Sequence, residues 1–306
     1  MLPPNSPQAQ SIQNLFLLTL LVAAGVFLLV TLLVLFASWR YRWRGDSDEP
    51  RQVYGIRKLE IGWTVAPALL LLVLFGLTLY TMRTVDPPKP GDAQPDLQII
   101  AHQWWWEVHY PKSGAVTANE IHIPTGQQLL TEVESADVIH DFWVPQLARK
   151  VDATPGYPTS IWLQADKPGT YLGTCAEFCG AQHAWMRIRV VAQSPSDFQA
   201  WEQQQLAQPA APGSDLAAQG AQIFQQRTCT NCHAIAGTGA TQQIGPDLTH
   251  LGDRETLGAG VLDNTPEELA RWLKDPQAIK PGSYMPNLKL SDSEINALVA
   301  YLEATP

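Results

Sequence analysis

Cys175-Ala-Glu177-Phe-Cys179-Gly-Ala-Gln-His183-Ala-Trp-Met186 is the stretch of sequence that decides the fold of the central part of this 306-residue chain. It gathers two thiols, an imidazole and a thioether, soft ligands that suit copper. Two thiolates four residues apart in a turn can both bridge a pair of copper ions, with His183 bound to one of them. Met186 would then be a weak axial ligand, and the backbone carbonyl of Glu177 would be the other.

The second copper ion needs another imidazole from elsewhere in the fold. The histidines of the same region are His102, His109, His122 and His140. We prefer His140, which lies in Val138-Ile-His-Asp-Phe-Trp-Val-Pro145, a predicted loop at the end of a strand. The alternative is a disulfide between Cys175 and Cys179, which an oxidising compartment would permit. Glu, His and Met at these spacings favour the copper centre.

The other two of the four cysteines lie in Cys229-Thr-Asn-Cys232-His233, the signature of covalent haem c attachment. The two thiols would form thioethers with the haem, and His233 would be the proximal ligand of the iron. Met285 is the candidate distal ligand, and a His/Met pair suits electron transfer because it leaves no open coordination position. The alternative, half of a zinc site, lacks a second Cys or His pair in the sequence.

Two uncharged apolar runs, Ile12 to Ala37 and Ile61 to Met82, predict membrane-spanning helices over about 12–38 and 61–83. No Lys or Arg precedes the first run, whereas basic residues crowd the segment between the runs: Arg40, Arg42, Arg44, Arg51, Arg57 and Lys58. The positive-inside rule therefore places the loop 39–60 in the cytoplasm and the remainder of the chain outside. A cleavable signal peptide fits poorly, because no basic segment precedes the first run.

The region after the connector, which ends at residue 94, predicts a small all-β domain over 95–193. Its short segments alternate or are β-branched and end at turn residues: Leu97–Ala101, Glu120–Ile123, Leu129–Val133, Ile161–Gln164 and Arg187–Val191. Residues 194–213 form a Gln- and Pro-rich linker, which includes a possible short amphipathic helix over 195–206.

Residues 214–306 predict a small all-α domain. Thr265 before Pro266 is typical of a helix start, and Ser291 with Glu294 forms a capping box. The formal net charge of −9, without a basic stripe outside the loop 39–60, argues against a nucleic-acid partner.

The string Cys-X-Glu-X-Cys-X3-His-X2-Met, with the upstream Val-Ile-His-Asp-Phe-Trp-Val-Pro, resembles the dinuclear CuA domain of cytochrome c oxidase subunit II. The resemblance covers residues 12–193, including the two-helix anchor, the aromatic cluster 102–106 and the segment 150–156. It implies a cupredoxin-like β-barrel. The copper ligands that it implies are His140, Cys175, Glu177 through its carbonyl, Cys179, His183 and Met186.

The same resemblance implies three further roles. The carboxylate of Glu177 would bind a Mg²⁺ (or Mn²⁺) shared with subunit I, which fits the preference of hard cations for oxygen. Trp104 matches the aromatic residue at which CuA receives electrons from a cytochrome c, although core packing is the local alternative. Glu60 matches a glutamate at the mouth of a proton channel in subunit I, although a solvated charge at a helix end is the local alternative.

Residues 214–306 resemble class I cytochromes c. Gly220 and Phe224 match an N-terminal helix that crosses a C-terminal helix carrying Leu298 and Tyr301. The loop 244–248 matches the segment in which a proline carbonyl orients the haem-ligating histidine. A CuA domain followed by a cytochrome c is the order of oxidase subunits II that carry a tethered cytochrome.

The resemblance therefore implies subunit II of a bacterial haem-copper terminal oxidase, with dinuclear copper, covalent haem c and no catalytic residue of its own. Electrons would pass from soluble cytochrome c or a quinol:cytochrome c reductase to haem c, then to CuA and to subunit I, where O2 is reduced to water with proton translocation. Subunit III is a further expected partner. The two outer domains would lie on the periplasmic side of the inner membrane.

Two alternatives stay open from the sequence. The first is the small subunit of a CuA-containing nitric oxide reductase; Glu177 together with Asp152 favours the oxidase over it. The second is a membrane-anchored electron carrier without a catalytic partner, against which Glu60 at a helix end argues mildly.

Overall fold

The computed structural model describes residues 3–43, 45, 52–209 and 211–305. Two long helices come first, α1 over Pro7–Arg40 and α2 over Arg57–Val85. Both are long and apolar enough to cross a bilayer. They extend beyond the predicted ranges 12–38 and 61–83, because the polar flanking residues continue the helical hydrogen bonding. Of the predicted basic loop, Arg44 and Arg51 lie outside the described residues.

The next part of the chain forms two five-stranded sheets with the orders β3-β2-β1-β5-β8 and β4-β10-β9-β6-β7. Strands β1 and β5, and strands β4 and β10, pair in parallel, so both sheets are mixed. The strands are β1 Leu97–His102, β2 Trp105–Tyr110, β3 Ala115–Ala118, β4 Glu120–Pro124, β5 Leu129–Ser135, β6 His140–Trp143, β7 Val151–Ala153, β8 Thr159–Leu163, β9 Gly169–Cys175 and β10 Arg187–Gln193.

Alternating apolar side chains build the core between these sheets. In β1, Leu97, Ile99 and Ala101 are fully buried while their neighbours are only half-buried. Because successive side chains on a strand point to opposite faces, this pattern turns one face of the sheet inward. The predicted cupredoxin-like β fold is confirmed. The prediction did not include strands β2, β3, β6, β7 and β9. These strands are rich in aromatic residues, short or contain glycine, so they lack a clear alternation of apolar and polar side chains.

The second sheet brings distant parts of the sequence to one end of the domain. Strand β6 begins at His140, and its neighbour β9 ends at Cys175, with Phe142 paired to Cys175. A Cβ on Gly173 would lie 2.4 Å from the carbonyl oxygen of Trp143, so glycine permits this close pairing. The loop after β9 returns through the short 3-10 turn His183–Trp185 to β10. The sheet therefore holds both ends of the segment Cys175–Met186, which contains most of the predicted copper ligands.

The predicted linker 194–213 contains an eleven-residue helix, α3, over Pro195–Gln205. Ser194 caps it by accepting a hydrogen bond from the backbone N–H of Asp197. Phe198 and Trp201 pack against the β core, and the Trp201 ring stacks on His122 at 4.2 Å. The helix therefore takes up more than half of the predicted linker.

The last part of the chain is helical, as predicted, and it adds a two-stranded hairpin. Its elements are α4 Asp215–Gln226, β11 Thr256–Leu257, β12 Leu262–Asp263, α5 Pro266–Lys274, α6 Pro276–Ile279 and α7 Asp292–Leu302. Thr265 caps α5, and Ser291 with Glu294 forms the predicted capping box of α7. Helix α4 packs on α7, where the rings of Phe224 and Tyr301 lie 6.0 Å apart.

The contact between α4 and α7 generates a stability prediction. A Cβ on Gly220 would lie 2.0 Å from the carbonyl oxygen of Ala297, inside van der Waals contact. Gly220→Ala should therefore push the helices apart and lower the free energy of unfolding of this domain by about 1–3 kcal/mol. Circular dichroism during thermal unfolding would measure this loss. Gly239→Ala, which has nothing within 4 Å of the new methyl group, is the control and should leave the midpoint unchanged.

Candidate functional site

The predicted copper ligands converge on one small, buried volume. The Sγ atoms of Cys175 and Cys179 lie 3.8 Å apart. Nδ1 of His140 lies 3.9 Å from the sulfur of Cys175, and Nδ1 of His183 lies 3.7 Å from that of Cys179. Sδ of Met186 lies 4.0 Å from the sulfur of Cys179. Each sulfur thus lies beside its own imidazole, so the four side chains could together hold a pair of copper ions.

The backbone completes the donor set, since the carbonyl oxygen of Glu177 lies 3.2 Å from the sulfur of Cys175. A disulfide has an S–S bond of about 2.0 Å, so Cys175 and Cys179 are free thiols rather than a bridge. The hydrogen bond between the two thiols lowers the pKa of Cys175 to about 3 and raises the pKa of Cys179. A thiolate is the form that binds metal, so the donors present fit copper.

Asp137 orients one of the imidazoles, a role that the motif reading missed. Its Oδ1 accepts a hydrogen bond from Nε2 of His140 at 2.8 Å, which turns Nδ1 of that ring toward Cys175. The other oxygen of Asp137 accepts the backbone N–H of Gln103 at 2.6 Å. Carboxylates that fix the tautomer of a ligating histidine are a regular part of metal sites. In the sequence, the only indication of this role is that Asp137 lies three residues before His140.

The other histidines of the β region have different partners. Nε2 of His102 and Nε2 of His109 bind the two carboxylate oxygens of Glu107, at 2.8 and 2.6 Å. Nδ1 of His122 lies 3.0 Å from the side-chain oxygen of Gln193. Besides His183, His140 is therefore the histidine that faces the cysteines, which agrees with the preference from sequence. Among the described residues, His140, Cys175 and Cys179 each offer a ligand atom, and these atoms all lie within 4.8 Å of one another.

The predicted haem ligands surround an apolar cavity of about 330 Å³. The short 3-10 turn Thr228–Asn231 carries Cys229 and leads into Cys232 and His233. Nδ1 of His233 donates to the carbonyl of Pro246 at 2.8 Å, as the resemblance implied. Burial lowers the pKa of His233, although this hydrogen bond opposes the effect, and the neutral ring is the form that ligates iron.

The cavity walls fit a flat apolar group. A Cβ on Gly245 would lie 2.6 Å from the His233 ring, so only glycine lets the loop pass over the imidazole. Met285 lines the cavity, and its sulfur accepts a hydrogen bond from the Trp272 indole at 3.1 Å. The other apolar lining residues include Phe224, Leu248, Leu251, Leu269 and Leu298. The cavity therefore has the thiols, the imidazole and the thioether that a covalent haem c needs.

The β domain supplies part of this cavity wall, because Trp104, Trp105 and Asn119 also line it. The indole N–H of Trp104 donates to the carbonyl of Cys179 at 3.0 Å. Nε2 of Gln103 donates to the same oxygen at 2.7 Å. One side chain, Trp104, thus touches the haem cavity and binds a residue of the copper cluster. The role predicted for Trp104, the residue at which electrons enter the copper centre, stays a prediction.

Comparison with protein families covers almost the whole chain. Residues 1–82 match the family described as cytochrome c oxidase subunit II, transmembrane domain, and residues 115–193 match its periplasmic domain. Residues 217–306 match cytochrome c. Cytochrome c oxidase subunit 2 of Alkalihalophilus pseudofirmus is 38% identical over 309 residues, which cover 99% of this chain and 90% of that protein. The chain belongs to the cytochrome c oxidase subunit II family.

Other relatives of subunit II agree with this assignment. The protein of the same name from Bacillus subtilis is 36% identical over 277 residues, which cover 85% of this chain and 78% of that protein. The subunit II assignment confirms the predicted fold and the predicted place in a haem-copper oxidase, an oxidoreductase complex. It also implies a copper centre and a haem c, whereas the ligand set stays a prediction that the distances above support.

Two further residues with predicted roles are Glu177 and Glu60. Glu177 has an exposed side chain, although its carbonyl faces Cys175. Glu60 lies in the first turn of α2 and is exposed. The roles of these two carboxylates stay predictions.

The contact between Asp137 and His140 generates a prediction about copper affinity. Asp137→Ala should free the His140 ring and weaken copper binding about 10- to 100-fold, the usual effect of losing such a partner. Loss of the near-infrared CuA band during titration with a chelator would measure the affinity. Asp92→Ala, at an exposed position in the connector, is the matched control. An unchanged chelator midpoint in Asp137→Ala would contradict the assigned role.

Proposed function

We propose that this subunit II takes electrons from an external donor at its cytochrome domain and delivers them through its copper domain to subunit I, where O2 is reduced to water with proton translocation. Bound haem c and CuA would each supply a one-electron carrier. The observation that carries the proposal is the shared cavity wall. Trp104 lines the cavity that holds Cys229, Cys232, His233 and Met285, and it donates to Cys179.

The chain's residues account for how each carrier would be held. His140, Cys175, the Glu177 carbonyl, Cys179, His183 and Met186 would bind the copper pair. The burial of both cysteines, each at most 3% exposed, keeps water away from the thiolates. Cys229 and Cys232 would bind the haem covalently, with His233 and Met285 as axial ligands. Because both positions on the iron are filled by protein, the cytochrome domain would transfer electrons without binding O2.

The arrangement in the membrane follows from the two apolar helices. They would cross the bacterial inner membrane, with the basic loop 39–60 in the cytoplasm. The copper and cytochrome domains would then lie on the periplasmic side, where soluble cytochrome c or a quinol:cytochrome c reductase can reach them. Subunits I and III are the proposed partners, and Glu60 would lie at the mouth of a proton channel of subunit I.

The electron order can be tested with Cys179→Ser in the assembled oxidase. This variant should lose the near-infrared CuA band and O2 turnover, because one bridging thiolate is gone. The haem c band should still appear on anaerobic reduction, because its ligands lie in another domain. Oxygen turnover that persists without the CuA band would rule out the proposed order.

The identity of the acceptor can be tested in the same preparation. Addition of O2 or of nitric oxide to the anaerobically reduced wild-type complex should show rapid reoxidation by O2. Consumption of nitric oxide instead would favour a nitric oxide reductase. Purification without a large haem-bearing subunit would favour an electron carrier that has no catalytic partner.

The exposed carboxylate of Glu177 would bind a Mg²⁺ or Mn²⁺ together with subunit I. Glu177→Gln should lower the occupancy of this ion about 10-fold or more, since the amide is a weaker ligand for a hard cation than a carboxylate. The CuA band should persist, because the Glu177 backbone carbonyl is unchanged. Electron paramagnetic resonance of Mn²⁺ in the purified oxidase would measure the occupancy, with Glu202→Gln as the control. Full Mn²⁺ occupancy in Glu177→Gln would contradict the role.

A further inference from the structure

The candidate haem ligand Met285 lies in an irregular segment of the cytochrome domain. Among the described residues, the segment 280–291 between α6 and α7, which we define as the Met285 loop, forms neither a helix nor a strand. No regular pattern of backbone hydrogen bonds therefore fixes the methionine there. Its position depends on the side chains that bind this loop.

Gln277, on α6, binds the Met285 loop through both ends of its side-chain amide. Its Nε2 donates to the carbonyl of Ser283 at 2.8 Å and to the carbonyl of Met285 at 2.7 Å, and the Ser283 hydroxyl lies 3.2 Å from the same nitrogen. Its Oε1 accepts the backbone N–H of Gly282 at 2.9 Å. An amide has two N–H donors and one acceptor oxygen, so Gln277 uses all of them on one loop.

Both sides of this contact are themselves fixed. Asp275 caps α6, and its carboxylate accepts the backbone N–H of Gln277 at 3.2 Å and that of Ala278 at 3.3 Å. Gly282, the partner of the Gln277 oxygen, has a φ of +83°, a left-handed conformation that glycine adopts without strain. Gln277 therefore connects a capped helix to a defined turn of the Met285 loop.

Trp272, on α5, binds the side chain of Met285. Its indole Nε1–H donates to Sδ of Met285 at 3.1 Å. A Cβ on Gly258 would lie 3.2 Å from Cζ3 of this indole, so glycine lets the hairpin between β11 and β12 pack against the ring. This packing limits the rotation of the indole and keeps its N–H directed at the sulfur.

The hydrogen bond to the sulfur has an electronic effect. A thioether sulfur has two lone pairs, so the bond from Trp272 leaves one for a metal. The bond also withdraws electron density from the sulfur and makes it a weaker donor. Ferric iron depends more on that density than ferrous iron does, so the reduced state is favoured. Hydrogen bonds around the axial ligands are one of the means by which a protein sets the potential of a haem.

We propose that Trp272 and Gln277 are positioning residues for the axial methionine of haem c. Gln277 holds the main chain of Met285 in place, and Trp272 orients its sulfur and raises the reduction potential of the haem. The inference rests on the proposed function for the assignment of Met285 as an iron ligand. It adds two side chains that do not bind the iron but determine how firmly, and at what potential, Met285 binds it.

Trp272→Phe in the purified oxidase tests the hydrogen bond to the sulfur, because phenylalanine keeps an aromatic ring and has no N–H. The equilibrium constant for reduction of haem c should fall about three- to tenfold, which is about 30 to 60 mV for a one-electron couple. Spectroelectrochemical titration of the haem c band would measure the potential. An unchanged potential in Trp272→Phe would overturn the role of Trp272.

Trp201→Phe is the matched control for this variant. Trp201 stacks on His122 and packs against the β core, so its replacement should leave the potential of haem c at the wild-type value. Retention of covalent haem and an unchanged thermal midpoint of the cytochrome domain would show that Trp272→Phe is folded. A lowered potential in a folded Trp272→Phe, with none in the control, is the result that supports the proposal.

Gln277→Leu tests the anchoring of the main chain, because leucine has no charge and cannot form the amide hydrogen bonds. Added imidazole competes with Met285 for the ferric iron, and its affinity should rise about 10- to 100-fold when the Met285 loop is released. Loss of the methionine–iron charge-transfer band during a titration with imidazole would measure this affinity. Gln222→Leu, at an exposed position on α4, is the control and should titrate like the wild type.

Gln277→Asn keeps the amide on a shorter side chain, and it should shift the imidazole affinity in the same direction. It replaces Gln277→Leu if that variant retains no haem. An imidazole affinity equal to that of the wild type in these variants overturns the role of Gln277. A wild-type oxidase without the methionine–iron band would contradict the assignment of Met285 in the proposed function, and this proposal with it. The band present in the wild type, with the Trp272 and Gln277 variants unchanged, contradicts this proposal alone.

Discussion

The carbonyl oxygen of Cys179 accepts two hydrogen bonds, from the side chains of Gln103 and Trp104. These bonds fix the loop between β9 and β10, and this loop carries most of the copper donors. They also fix the Trp104 indole on the surface that the cytochrome domain covers. The position of the copper loop and the position of the interface therefore depend on the same oxygen atom.

The copper donors could be predicted because most of them are local in sequence. Cys175, Cys179, His183 and Met186 share one loop, and a loop of fixed spacing defines which atoms can meet. His140 came from another strand, and it could be selected only through its flanking residues. Asp137 and Gln103 escaped prediction because an Asp or a Gln has many common uses, and only the fold shows which atoms they face.

The fold could be predicted best where one physical signal dominated. The two membrane helices followed from uncharged apolar runs, and α5 and α7 followed from Thr265 and Ser291 at their caps. Strands such as β2, with four consecutive buried residues, carry no alternation that would mark them. The contact between the cytochrome domain and the copper domain could not be predicted from the sequence, because Ala259 and Gly260 bind Arg187 through backbone carbonyls, which every residue has. The sequence around Lys280 likewise carries no signal for its contacts, in which Nζ donates to the carbonyls of Trp104 and Gly258.

The wall that Trp104 and Trp105 contribute to the haem cavity has an electrostatic consequence. Two indoles of the copper domain line this cavity, so a haem bound there would have apolar rings rather than water on that side. Solvent exposure is one of the factors that set the reduction potential of a haem. The potential of this cytochrome is consequently a property of the fused chain, and the same domain cut free at its linker would have a different one.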